Sequence, residues 1–163
     1  MPSPSPLRWY ALAIAVIVLD QLSKAWVGAL LLPGEGVALT SFFNLVLVFN
    51  RGAAFSFLAD ADGWQKWFFV ALALGISVYI ALLLRRQAAE RLLSTALALV
   101  LGGALGNVID RLRFGAVVDF LDVHAAGWHW PAFNVADSAI CVGVALLLWQ
   151  QLKEPAAGRE SND

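Results

Sequence analysis

The sequence has little charge, one cysteine and two histidines. Among its 163 residues, charged residues make up only 14%, whereas hydrophobic residues make up 60%. The net charge of −1 and the lack of a basic run give no electrostatic basis for binding nucleic acid. The single cysteine, Cys141, excludes an internal disulfide, and its apolar surroundings are typical of a small buried hydrophobic residue.

Several motifs of common enzymes are also missing. The chain has no Gly-x-Ser-x-Gly elbow, no His-Glu-x-x-His helix and no phosphate-binding loop. The spacing of Asp122, His124 and His129 matches no strong zinc pattern. We therefore expect neither a metal site nor a cofactor.

Four long apolar runs dominate the chain instead. Each approaches the roughly 20 residues that a helix needs to cross a bilayer. The first run could be a cleavable signal peptide, but no small-x-small cleavage site follows it, so we interpret it as a retained helix. The sequence predicts transmembrane helices over 9–26, 64–84, 92–109 and 132–152.

The charged and aromatic residues at the helix ends indicate an orientation. Arginines in the turn at 85–91, Arg8 before the first helix and Lys153 after the last predict a cytoplasmic location for both termini. Tryptophans near the helix ends are typical of an aromatic belt at the membrane surfaces. We expect a single domain over 1–163, with disordered cytoplasmic tails at 1–7 and 154–163.

The stretch 37–57 differs from the four helices. It is rich in Val, Phe and Thr and is interrupted by Asn44, Asn50 and Gly52, which favours short strands. Because an open sheet edge cannot face hydrocarbon, these strands should lie above the membrane or against the helices. The predicted fold class is an all-α integral membrane protein with four transmembrane helices and a small extracytoplasmic β-cradle between helices 1 and 2.

Polar side chains collect at the outer ends of the predicted helices. Ionisable groups at membrane depth are costly and usually mark a site or a pathway. A small transporter or proton relay is the alternative function, but it would also need polar groups in the inner half, where helices 2 and 4 offer few. A purely structural protein would leave the cluster unexplained. The outer cluster contains Asp20, Lys24, Asn107, Asp110, Arg111, Asp119, Asn134 and Asp137.

Each of these residues also has a structural interpretation. Asp20 and Lys24 have the favourable i,i+4 order, and we interpret them as an ion pair inside the bundle. Asp137 could cap the fourth helix and stabilise its dipole, and Asp119 could pair with Arg111 or Arg113. Two carboxylates that flank one helical hairpin on the same side nevertheless favour a joint chemical role.

Five motifs together resemble the signature blocks of the bacterial lipoprotein signal peptidases, the signal peptidase II family. They occur in order over nearly the whole chain, and their combination is far more specific than any one of them. The motifs are DQLSK at 20–24, NRGAAF at 50–55, GNVIDR at 106–111, VVDF at 117–120 and FNVAD at 133–137.

The resemblance implies an aspartic peptidase of the bacterial inner membrane, with Asp119 and Asp137 as the catalytic pair near the periplasmic face. Its substrates would be prolipoproteins whose lipobox cysteine already carries diacylglyceryl, cleaved just before that cysteine. Besides these substrates we expect membrane lipids as partners and a monomeric enzyme. The match assigns site-shaping roles to Asn50, Gly52, Asn107, Asp110, Arg111, Asn134 and Ala136, and supporting roles to Asp20 and Lys24.

Overall fold

Four α-helices form the body of the protein. The computed structural model describes residues 5–52 and 63–153. Within them, each of the four helices is long and apolar enough to cross a membrane, as predicted. The helices are α1 at Leu7–Leu30, α2 at Trp64–Arg86, α3 at Arg91–Phe114 and α4 at Val135–Lys153.

The helix ends differ in detail from the prediction. Helix α1 begins at Leu7, the last residue of the predicted tail 1–7, while residues 1–4 and 154–163 lie outside the described residues. Helix α3 continues to Phe114, where Gly115 adopts the left-handed conformation that commonly ends helices. Helix α4 begins at Val135 rather than at residue 132, because Phe133 pairs with a strand.

Helix α3 lies at the centre of the bundle and contacts the other three helices. Glycines line the contacts between these helices. A Cβ atom at Gly102 would lie 2.7 Å from the carbonyl oxygen of Ala13 in α1. One at Gly143 in α4 would lie 2.7 Å from the carbonyl oxygen of Ala96 in α3. Glycine at these positions therefore lets α1 and α4 approach the α3 backbone closely.

A small antiparallel sheet covers one end of the bundle. Its strand order is β1 at Gly36–Ala38, β2 at Phe43–Asn50, β3 at Val117–Ala125 and β4 at Trp128–His129. The mostly helical fold class with a small sheet is thus confirmed, but the predicted location of the sheet was only half right. Strands β3 and β4 come from between α3 and α4. Part of the predicted strand region, 53–57, lies outside the described residues.

Strand β3 was missed because its pattern is unusual for a strand. It is buried on both faces over Val117–Phe120, so it lacks an apolar–polar alternation, and Asp119 and Asp122 interrupt its apolar character. The sheet is fastened to the bundle by a hydrophobic cluster that includes Val27 of α1 and Phe120 of β3. This cluster packs β3 against the end of α1 and the start of α4, and β3 also contacts α3.

Candidate active site

Asp119 lies on strand β3, in a segment where the sequence predicted no strand, and only 3% of its surface is exposed. Its Oδ1 accepts a hydrogen bond of 2.8 Å from the Asn134 amide, and its Oδ2 accepts one of 3.1 Å from the Asn50 amide. Burial raises the pKa of Asp119 to about 7, and the nearby charge of Asp137 adds to the effect, although both amides oppose it.

Asp137 lies in the first turn of α4 and is half-buried. The predicted capping role belongs to Asn134 instead, whose Oδ1 accepts a hydrogen bond of 2.8 Å from the backbone N–H of Asp137. The carboxylate of Asp137 therefore makes a different contact, in which its Oδ1 accepts a hydrogen bond of 2.8 Å from the Asn107 amide. An acid in this first turn also has a favourable interaction with the helix dipole.

Two asparagines join the carboxylates to one network. Asn134 is fully buried, and its amide donates both to Asp119 and, over 3.3 Å, to Asn107 Oδ1. Asn107 Oδ1 also accepts a hydrogen bond of 3.1 Å from Lys24. The amide of Asn107 donates to Asp137, so the carboxylate of each aspartate accepts a hydrogen bond from one of these two asparagines. Asp119 and Asp137 are thereby held at one site from two different elements.

The side chain of Lys24, which contacts Asn107, lies between two carboxylates. Its Nζ is 2.7 Å from Asp20 Oδ2, which is the ion pair predicted from their spacing. It is also 2.7 Å from Asp110 Oδ2, a second partner that the sequence did not predict. All three side chains are at most 5% exposed. The buried ammonium of Lys24 therefore stabilises the negative charges of both buried carboxylates. Without it, neither carboxylate would have this cationic partner.

Asp20 also ties α1 to the start of α4. Its Oδ1 accepts a hydrogen bond of 2.9 Å from the backbone N–H of Ala136, which is fully buried. Gly106 of α3 makes room for this contact, because a Cβ atom there would lie 2.8 Å from Asp20 Oδ2. Ala136 thus takes part in the site through its backbone and its small size.

Asp110 and Arg111 connect the end of α3 to the sheet. Asp110 Oδ2 accepts a hydrogen bond of 3.1 Å from the backbone N–H of Val118, immediately before Asp119. Arg111 donates over 3.2 Å to the carbonyl oxygen of Gly52, whose own N–H donates over 3.0 Å to Asn50 Oδ1. These contacts place the end of β2 beside the two aspartates.

The predicted alternative of a salt bridge between Asp119 and an arginine is not seen within residues 5–52 and 63–153. The carboxylate of Asp119 instead accepts hydrogen bonds from the side-chain amides of Asn50 and Asn134.

Gln21 is a site residue that the sequence patterns did not predict. Its Nε2 donates over 2.9 Å to Asp110 Oδ1 and over 3.2 Å to the carbonyl oxygen of Gly106. Its position beside Asp20 in the DQLSK motif was the available signal.

This arrangement suits acid–base chemistry. Two carboxylates at one site cannot both ionise easily, so the pair tends to hold one proton between them. A pKa of about 7 for Asp119 means that such a proton is retained up to neutral pH. One acid and one base at the same site are what hydrolysis of a peptide bond requires in the absence of a covalent nucleophile.

Comparisons with known proteins identify a single family. The family described as "Signal peptidase (SPase) II" matches residues 12–153. A "Lipoprotein signal peptidase" of Janthinobacterium sp. (strain Marseille) is 54% identical over 151 residues, covering 93% of this chain and 92% of the relative. Another of that name from Burkholderia vietnamiensis is 58% identical over 145 residues, covering 89% and 87%.

Solved structures give the same result for the fold. A bacterial membrane enzyme determined by the in meso method at 2.3 Å resolution superimposes with a TM-score of 0.82 at 29% identity, covering 96% of this chain and 94% of that one. A second, at 1.9 Å, gives 0.79 at 30% identity, covering 90% and 94%. None of these matches supports the transporter or proton-relay alternative. With a family match that spans most of its length and a fold shared with membrane enzymes, this chain belongs to the signal peptidase II family and is a multi-pass membrane peptidase.

Proposed function

We propose that this peptidase removes the signal peptide of lipid-modified prolipoproteins just before the lipidated cysteine, and that Asp119 and Asp137 are its catalytic carboxylates. The observation that carries the residue assignment is the pair of hydrogen bonds that Asn134 makes to them. One side-chain amide reaches Asp119 on a strand and the N–H of Asp137 on a helix. The asparagine thus fixes the position of one aspartate relative to the other.

The reaction follows from one proton held by two carboxylates. The ionised aspartate removes a proton from water, and the resulting hydroxide attacks the scissile carbonyl carbon while the protonated aspartate donates to the carbonyl oxygen. When the tetrahedral intermediate collapses, the C–N bond breaks and one aspartate gives its proton to the amine of the lipidated cysteine. A hydroxyl group of the intermediate returns its proton to the other aspartate. The dyad then holds one proton again, so no net change remains on the enzyme.

The surrounding residues have supporting roles in this proposal. Asn107 and Asn134 orient the two carboxylates, while Asn50 donates to the second oxygen of Asp119. The ammonium of Lys24 pairs with both Asp20 and Asp110 and partly offsets their negative charges. Arg111, Gly52 and Ala136 place the ends of β2 and α4 around the pair.

The position of the site in the bundle suits a lipidated substrate. The sheet and the two aspartates lie at the end of the bundle where α1 and α3 finish and α4 starts. With both termini in the cytoplasm, this end faces the periplasm at the surface of the inner membrane. Diacylglyceryl chains remaining in the bilayer would bring the scissile bond to the same depth, and their binding would contribute to positioning it.

Cleavage of a diacylglyceryl-modified prolipoprotein by the purified protein tests the proposal. Asp119→Asn and Asp137→Asn should each lower the rate about 10²- to 10⁴-fold, because each removes a general acid–base group. Glu90→Gln is a matched control, since it neutralises an exposed carboxylate that makes no side-chain cap at the opposite end of α3. Full activity in either folded dyad variant would refute the assignment, and an inactive parent would refute the proposed function.

A further inference from the structure

A second polar cluster lies on the sheet, outside the proposed catalytic machinery. His129 Nδ1 is 2.9 and 3.0 Å from the two carboxylate oxygens of Asp122. Asn44 of β2 donates to Asp122 Oδ2 over 2.7 Å, and His124 Nε2 is 3.3 Å from Asn44 Oδ1. The two imidazole rings stack at 4.8 Å with an angle of 22°. The cluster therefore links β2, β3 and β4.

The carboxylate of this cluster is nearly buried, with 7% of Asp122 exposed. Burial acts to raise its pKa, but the hydrogen bonds from His129 and Asn44 and the two histidines lower the pKa below its usual value. The titratable groups facing it are His124 of β3 and His129 of β4, and β2 contributes the neutral Asn44. Asp122 is thus ionised over the range in which imidazoles gain a proton.

The β3–β4 hairpin is short, and its turn is unfavourable. Strand β4 has two residues, and its register consists of the pairs His124↔His129 and Ala125↔Trp128. The turn between them places both Ala126 and Gly127 at positive φ, of 50° and 81°. This conformation suits Asn-Gly and costs energy for alanine. A short hairpin with an unfavourable turn residue needs another interaction to remain closed.

The hairpin leads directly to the proposed catalytic pair. After His129, the chain runs back along β3, where Trp130 N–H donates to the Val123 carbonyl over 2.8 Å. Phe133 N–H then donates to the Leu121 carbonyl over 3.0 Å. The next residue is Asn134, whose side chain contacts Asp119 and the N–H of Asp137. The segment that pairs with β3 therefore begins at His129, which contacts Asp122, and leads directly to Asn134.

We propose that Asp122 and His129 are a positioning pair for the peptidase site. Their contact closes the β3–β4 hairpin and holds the returning segment 129–134 in register with β3. That register sets where Asn134 lies and hence the relative position of the two aspartates. The inference depends on the proposed function, because its readout is the rate of prolipoprotein cleavage.

The test compares Asp122→Asn, His129→Leu and the double variant with the parent. Loss of one hydrogen bond to a charged group should lower kcat about threefold to tenfold, with KM little changed. Because the two residues act as one unit, the double variant should be no slower than the slower single variant. Thr40→Val is the control, since it removes a side-chain acceptor of a 3.3 Å bond from the β1–β2 turn of the same sheet.

A rescue experiment separates positioning from general stability. Ala126→Asn improves the turn without touching the pair, so in the His129→Leu background it should restore most of the lost kcat. Unchanged kcat in the single variants, additive losses or failure of the rescue would each overturn the proposal. An inactive parent would instead refute the proposed function.

Discussion

The amide of Asn134 lies 2.8 Å from Asp119 Oδ1 inside the protein, where neither residue is more than 3% exposed. The side-chain oxygen of Asn134, Oδ1, accepts a hydrogen bond from the N–H of Asp137 and thereby caps α4. One residue thus performs two tasks, orienting a carboxylate and starting a helix. Substitutions can separate these tasks, because serine is a good cap but is too short to reach Asp119.

We expect Asn134→Ser and Asn134→Ala to lower kcat alike, about 10- to 100-fold, because both lose the hydrogen bond to Asp119. Their stabilities should differ. The alanine variant also loses the cap and should be less stable than the serine variant by about 1 kcal/mol. Cleavage kinetics and thermal unfolding of the purified variants measure the two effects. A serine variant with parental kcat would show that the amide is not needed at Asp119.

Replacing Lys24 by methionine should destabilise the protein strongly. The ammonium lies 2.7 Å from both Asp20 and Asp110, and its loss would leave two buried acids without compensation. We expect a loss of about 3 to 5 kcal/mol in the free energy of unfolding. Lys153→Met is the control, because Lys153 is exposed in the last turn of α4. Equal effects of the two substitutions in thermal unfolding would contradict this prediction.

The four helices could be predicted because a bilayer requires long apolar segments, and this requirement is visible in the sequence itself. The ion pair of Asp20 and Lys24 was predictable for a similar reason, since both residues lie on one helix with a known period. The second partner of Lys24 could not be predicted in this way. Asp110 comes from another helix, and its approach depends on the rotation and depth of α3 against α1.

Strand β3 and the capping role of Asn134 were also beyond the sequence patterns. A strand buried on both faces shows no alternation, and the carboxylates in β3 resemble those of a loop. The prediction that Asp137 caps α4 chose the wrong residue, because the cap is Asn134, three residues earlier. Once Phe133 pairs with Leu121, the helix can begin only after Asn134. Tertiary pairing therefore decided a local assignment.

The raised pKa of Asp119 predicts a pH-dependent stability. Its pKa is about 7 in the folded protein against a usual value of 3.8, so the folded state binds the proton more tightly. Stability should therefore fall as the pH rises from about 4 to about 7 and then level off. The full shift corresponds to about 4 kcal/mol.

Asp119→Asn removes this titration and should be more stable than the parent at pH 8. The gain should be about 1 to 3 kcal/mol, because the new amide also loses an acceptor for one of its asparagine neighbours. At pH 4 the gain should disappear, since the parental carboxyl is then protonated. Thermal unfolding at the two pH values measures the difference, with Glu90→Gln as the control. A variant that is destabilised equally at both values would contradict the assigned shift.

Gly106 offers a test of how closely the buried network is packed. A Cβ atom there would lie 2.8 Å from Asp20 Oδ2 and 3.4 Å from the Ala136 Cβ, so Gly106→Ala must displace the carboxylate that binds the N–H of Ala136. Overpacking of this kind costs about 1 to 3 kcal/mol, and the displaced start of α4 should also lower kcat. Gly75→Ala in α2 is the matched control, because a Cβ atom there meets nothing within 4 Å and the helix propensity improves. Gly106→Ala should therefore lose both stability and activity, as measured by thermal unfolding and cleavage rates. Gly75→Ala should keep its activity and gain slightly in stability. If Gly106→Ala behaved like the control, Asp20 would have to be free to move without disturbing α4, and the tight link between α1 and the start of α4 would be wrong.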